Sequence, residues 1–167
     1  MEYRILGKTG LKVSCVGIGC WQMASDGSWG NDTNDKQSIA TIHKAQEIGV
    51  NLLDTSASYG NGHSEQVIGK ALQDRRSHFI IASKVKPEVE ESDLDGAKKK
   101  IIEICNSSLK RLKTDYIDLY QIHWPDRSLN LWRDINYQHK EEDDAIDLEE
   151  TLSILEGLMK EGKIRNI

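Results

Sequence analysis

Two kinds of apolar segment alternate along this chain, and the alternation limits the folds open to it. Short apolar runs at 13–18, 50–53, 79–82 and 116–122 read as strands. Stretches with helical spacing lie between them. In 34–49, Ile39, Ile42, Ala45 and Ile48 recur at near-helical intervals, with Asn34 placed to cap the helix and Gly49 placed to end it. In 64–72, Val67, Ile68, Ala71 and Leu72 share one side. Leu94, Ala97, Ile101, Cys105, Ser108 and Leu112 step by 3, 4, 4, 3 and 4, which keeps them on one face. Ser92 and Asp95 form a capping pair for that helix. Leu148, Leu152, Leu155 and Met159 mark a last helix, stopped by Gly162, and 163–167 reads as the start of a fifth strand. Strand and helix in repeated alternation call for parallel strands joined by helical crossovers. A doubly wound open sheet and a (β/α)8 barrel both satisfy that pattern. A doubly wound nucleotide binder carries G-x-G-x-x-G after its first strand. Here Gly17-Ile18-Gly19 runs into Cys20, Trp21 and Gln22, so that fingerprint fails. Gly7-Lys8-Thr9 resembles the end of a P-loop, but Glu2 stands where the loop's first glycine belongs.

Two segments stand outside the repeat. At the start, residues 3–6 and 11–13 flank Gly7-Lys8-Thr9-Gly10 and read as a hairpin over 3–13. Residues 127–147 separate the fourth strand from its helix and carry Trp132, Tyr137 and the acidic run Glu141-Glu142-Asp143-Asp144. A loop that long after a strand lies on the carboxyl-end face of the sheet, where such folds keep their sites. The expected organisation is one partial barrel over 1–167, with βα units over about 13–162.

Composition removes several functional classes. The 167 residues include 22 Lys and Arg against 27 Asp and Glu, a net charge of −5. That balance offers no basic stripe for nucleic acid. No apolar run approaches the roughly 18 residues of a spanning helix. The start, Met1-Glu2-Tyr3-Arg4, lacks the plan of a signal peptide. Three cysteines, Cys15, Cys20 and Cys105, form no C-x-x-C pair, and the sparse count points to reduced thiols in a cytoplasmic setting. Cys15 and Cys105 read as core, and Cys20, beside Trp21, as the thiol nearest the rim. The histidines show no metal-ligand spacing.

The chemistry concentrates at strand ends. Asp54 ends the second strand, Lys84 the third and His123 the fourth. In a parallel α/β fold those ends share one rim. Tyr59 follows Asp54 by five residues, in a loop of small residues able to turn it back over the rim. A phenol has an unperturbed pKa near 10 and is a poor acid at neutral pH unless its anion is stabilised. An ammonium against the phenol oxygen supplies that stabilisation, and a carboxylate holds the ammonium in place. A histidine can hydrogen-bond the same substrate oxygen. The set is a proton donor and oxyanion clamp for a carbonyl becoming an alkoxide. It contains no nucleophile, so a hydride-carrying cofactor is the economical source of electrons.

With these residues in place, the sequence resembles the aldo-keto reductase family. The resemblance runs through 4–10 (RILGKTG), 52–56 (LLDTS), 59–65 (YGNGHSE), 81–85 (IASKV), 108–112 (SLKRL), 115–126 (DYIDLYQIHWPD) and 155–167. It covers nearly the whole chain in order, apart from 127–147. It implies the N-terminal half of a (β/α)8 TIM barrel with an N-terminal β-hairpin closing the floor. It implies reduction of an aldehyde or ketone by NADPH, or less often NADH. Tyr59 would be the general acid, Lys84 and Asp54 would tune it, and His123 would position the carbonyl. Asp54 would also touch the nicotinamide ribose, and Trp21 and Trp124 would line the substrate pocket.

A full barrel needs eight strands and about 250 residues, whereas this chain holds four and a half units. In the family, most of the nicotinamide cofactor site follows the fifth strand, so it is expected beyond Ile167. Half a barrel leaves strand edges that template pairing, which makes self-association an expectation. The competing reading is a non-catalytic, reductase-like binding or regulatory partner.

Overall fold

A computed structural model describes residues 1–25, 27, 34–86, 94–124 and 146–167. The loop 127–147 therefore lies outside the described residues except at its end, as does Ser92. Strands β1 (Tyr3–Ile5) and β2 (Lys12–Ser14) form an antiparallel hairpin. Strands β3 (Ile18–Gly19), β4 (Leu52–Asp54), β5 (Ile80–Val85) and β6 (Leu119–Ile122) form one parallel sheet in chain order. Helix α1 (Asp35–Glu47) connects β3 to β4, α2 (His63–Ala71) connects β4 to β5, α3 (Leu94–Leu112) connects β5 to β6, and α4 (Leu148–Lys160) follows β6. Among the described residues, no helix is long and apolar enough to cross a membrane.

Local chemistry sets most element boundaries. The Asn34 side chain accepts from the Gln37 amide at 3.0 Å and starts α1. Asp147, expected as the last loop residue, instead caps α4 by accepting from the Glu149 amide at 2.9 Å. Helix α3 buries Ala97, Ile101, Cys105, Ser108 and Leu112, as the stepping predicts, while Leu94 is exposed. Helix α4 is rotated from the expected stripe. It buries Thr151, Ile154, Leu155 and Leu158, and leaves Leu148 and Met159 exposed. The Leu/Met count pointed to one face. The buried face instead includes a threonine and an isoleucine that the leucine spacing overlooks.

Two strand expectations are corrected. The run 13–18 divides between two elements: β2 ends at Ser14 and the sheet strand is only Ile18–Gly19. Residues 163–167 form no named strand. A parallel bridge joins Ile117 to Ile164, with Ile117 N–H donating to the Lys163 carbonyl and Arg165 N–H to the Ile117 carbonyl, both at 2.9 Å.

The sheet sorts residues by its two-residue period. On β5, Ile81, Ser83 and Val85 are buried, and Ser83 meets α2 through Glu65. Lys84 lies on the opposite face with Asp54. The core lies between sheet and helices, centred on Leu53, Val67, Ile68, Ile81, Ile101, Cys105 and Leu155.

Helices α2 and α3 pack closely because two glycines leave room for Arg111. A Cβ on Gly62, whose φ is +87°, would lie 2.4 Å from Arg111 Nε, and one on Gly69 would lie 2.2 Å from the Arg111 carbonyl oxygen. Alanine in place of a mid-helix glycine ordinarily stabilises by roughly 0.5–1 kcal/mol. Here contact with α3 reverses the sign. Gly69→Ala should destabilise the fold by about 1–3 kcal/mol, read as a lower urea midpoint. An unchanged or higher midpoint would contradict the close approach.

Candidate active site

Parallel pairing brings the predicted strand ends together. Gly19 lies beside Asp54, Asp54 beside Ala82, and Lys84 beside Gln121, with His123 just past β6. The His123 amide donates to the Val85 carbonyl at 2.8 Å, which extends the ladder to the site.

Lys84 is the centre of the cluster. Its Nζ donates to Asp54 Oδ1 at 2.6 Å, to the Thr55 carbonyl at 3.0 Å and to the Tyr59 hydroxyl at 3.3 Å. An ammonium has three N–H donors, and all three meet acceptors here. The Lys84 side chain is 13% exposed and that of Asp54 is 43% exposed, so the pair reaches from the interior to the rim. The Tyr59 oxygen accepts from Lys84, which leaves the phenol proton free to donate elsewhere.

Aromatic rings enclose the phenol. Trp21 stacks on Tyr59 with centroids 5.7 Å apart, and His123 meets Tyr59 edge-on at 5.8 Å. Trp124 stacks on the His123 ring at 4.9 Å. All six predicted site residues, Trp21, Asp54, Tyr59, Lys84, His123 and Trp124, therefore form one contiguous group.

Residues that the sequence reading passed over also reach the site. Ser56 Oγ lies 3.2 Å from His123 Nδ1, and Ser58 Oγ lies 3.5 Å from it. Their signal in the sequence is their place in the short loop between Asp54 and Tyr59. Beneath β5, Glu65 is fully buried. It accepts from Ser83 Oγ and from Arg111 Nε, each at 2.7 Å, and so anchors the residue next to Lys84. His63, the first residue of α2, turns to Asp35 Oδ1 at 2.8 Å.

Burial decides the thiol and imidazole chemistry. Cys20 is buried, and burial pushes its thiol up to about 12, so it stays protonated and unreactive. Cys105 is buried as expected, whereas Cys15 is exposed, against expectation, because it follows β2 out of the hairpin. Burial lowers the His123 pKa from its usual value. The Lys84 charge lowers it further, and Asp54 opposes the shift.

The parallel α/β unit thus carries its Lys–Asp–Tyr–His group at the carboxyl ends of its strands, where the sequence pattern put it. The model of the aldo/keto reductase family matches residues 15–167, and the chain belongs to that family. Aldo-keto reductase YhdN of Bacillus subtilis is 37% identical over 171 residues, covering 100% of this chain and 46% of its own length. The holo form of an aldo-keto reductase from Bacillus halodurans superposes with a TM-score of 0.71 at 31% identity, over 99% of this chain and 48% of that one. An aldo-keto reductase from Klebsiella pneumoniae, solved in complex with NADPH, gives 0.66 at 29% identity, over 92% and 44%. The expected partial (β/α)8 barrel is the fold observed. The chain spans about half the length of the relatives it matches.

The lowered pKa of His123 has a pH signature. The unfolded chain binds this proton more tightly, so folding stability falls as pH drops below about 6.5 and stops falling once the folded ring is also protonated. His123→Asn should lack that part of the slope. An NMR titration of the His123 ring should give a midpoint below that of a free histidine, and a midpoint at or above it would contradict the desolvated geometry.

Proposed function

We propose that this chain carries the proton-donating part of an NAD(P)H-dependent carbonyl reductase site acting on an aldehyde or ketone. The observation that carries this reading is the Lys84 ammonium bonded at once to Asp54, the Thr55 carbonyl and the Tyr59 hydroxyl. A phenol held that way is oriented as a donor, with a cation beside the oxygen that becomes negative when the proton leaves.

A reduced nicotinamide cofactor, when bound, supplies the hydride. Asp54 is the residue here that fits it. One carboxylate oxygen is engaged by Lys84, yet the side chain stays 43% exposed and able to accept from a ribose hydroxyl. NADPH is the favoured form, supported by the NADPH complex of the Klebsiella relative, with NADH as the alternative.

The remaining steps belong to this chain's side chains. The substrate oxygen accepts hydrogen bonds from Tyr59 and His123. As the carbonyl carbon gains a hydride, Tyr59 gives its proton to the oxygen and the product is an alcohol. Lys84 stabilises the phenolate left behind, and Asp54 keeps Lys84 in place. Trp21 and Trp124, stacked on Tyr59 and His123, wall the substrate position.

In the full-length protein, Tyr59→Phe should cut turnover of an aldehyde by about 10²-fold or more. Cofactor affinity, measured by fluorescence titration, should stay within a factor of about two of wild type, since the phenol is placed on the substrate oxygen. Wild-type turnover in the variant would overturn the role given to Tyr59.

A further inference from the structure

Ser56 is buried, with 1% of its surface exposed, in the short loop between β4 and α2. Its Oγ has three polar neighbours. The Ser58 amide donates to it at 3.2 Å, Ser58 Oγ lies at 2.9 Å, and His123 Nδ1 lies at 3.2 Å. A serine hydroxyl has one proton to give and two lone pairs. The Ser58 amide occupies one lone pair. An oxygen that accepts an N–H is polarised into a better donor. Ser58 is exposed, and solvent can satisfy its hydroxyl in either orientation. The buried partner that most needs the Ser56 proton is therefore the imidazole nitrogen.

That choice fixes the ring. In a neutral imidazole one nitrogen donates and the other accepts, and the hydrogen bond at one decides the state of the other. We infer that Ser56 is a positioning residue that donates to His123 Nδ1 and thereby holds the imidazole in its Nε2–H form, with Ser58, whose Oγ lies 2.9 Å from Ser56 Oγ and 3.5 Å from the same nitrogen, as the more distant neighbour. The inference rests on the reductase reading, because the Nε2 proton is what a substrate oxygen would receive. The backbone bond to Val85 and the stacked Trp124 already fix the position and plane of the ring. Ser56 adds the remaining variable, which is the location of the proton. The mostly neutral ring at neutral pH agrees with this, since burial lowers the His123 pKa.

The test reads the tautomer directly and needs neither cofactor nor substrate, so it is separable from the Tyr59→Phe experiment. In uniformly 15N-labelled protein at pH above 7, long-range 1H–15N correlations of the His123 ring should show Nδ1 as a bare acceptor nitrogen and Nε2 as a protonated one. Ser56→Ala should introduce the Nδ1–H form as a second set of His123 signals or in fast-exchange average shifts. Ser56→Thr, which keeps the hydroxyl, should restore the single Nε2–H pattern. Wild type carrying its proton on Nδ1 would overturn the inference. So would a Ser56→Ala protein with a dispersed, folded amide spectrum and an unchanged ring pattern. If Ser56→Ala does not fold, the wild-type and Ser56→Thr spectra still decide the question.

Discussion

A buried carboxylate fixes where the site can form. Glu65 sits in the first turn of α2 with its whole side chain out of water, and its two oxygens bind Ser83 on β5 and Arg111 on α3. A charge in that position is tolerated only while its partners stay in place, because removing one from a buried pair costs about 3–5 kcal/mol. The triangle therefore sets how far α2, α3 and β5 stand from one another. Ser83 and Lys84 are adjacent and point to opposite faces of β5. The hydrogen bond holding Ser83 to the helices thus aims Lys84 at Asp54 and Tyr59. Gly62 and Gly69 belong to the same arrangement, since they leave the space that Arg111 occupies.

A second buried carboxylate works at the other end of the sheet. Asp118 accepts from Arg76 Nη2 at 2.6 Å, from the Ile81 amide at 3.0 Å and from Arg165 Nη1 at 3.4 Å. The Arg76 and Arg165 guanidiniums also lie over the Tyr116 ring, 4.1 and 3.5 Å from its centroid. These contacts bind the turn before β5, the approach to β6 and the chain after Gly162. Asn51 does similar work for the hairpin, because it accepts from the Ser14 amide and donates to the Lys12 carbonyl. Fixing the amino ends of the strands leaves the carboxyl ends to carry chemistry. At the rim Lys84 is engaged by Asp54, the Thr55 carbonyl and Tyr59, while the Asp54 side chain stays 43% exposed.

Periodicity made the helices and the order of the sheet legible in advance. It worked best for α3, where length and a clean 3–4 stepping agree with burial. It did less well for α4, where Thr151 is buried by packing and a leucine-based stripe is drawn towards the wrong face. The strand expected over 13–18 was drawn too long, because pairing with β4, and not local composition, limits β3 to Ile18–Gly19. The rim group was legible because strand ends converge in any parallel fold, so Asp54, Lys84 and His123 could be grouped without coordinates. Ser56, Glu65 and Asp118 were not. Each acts through a partner 18 to 67 residues away, as with Ser83 for Glu65 and His123 for Ser56, and nothing in local spacing announces such a pairing.

The distribution of these residues bears on what half the length of a reductase can hold. Every member of the Lys84 group comes from β3 to β6 or from the turns directly after them, and these four strands are neighbours in one sheet. Asp54, Tyr59, Lys84 and His123 therefore need no strand outside this segment for their mutual geometry. Within that group the Asp54 side chain stays 43% exposed at the rim. Under the proposed function, the proton-transfer groups are assembled by local parallel pairing alone. That local pairing explains why the hydrogen bonds among Asp54, Tyr59 and Lys84 form within a chain that spans about half the length of the relatives it matches.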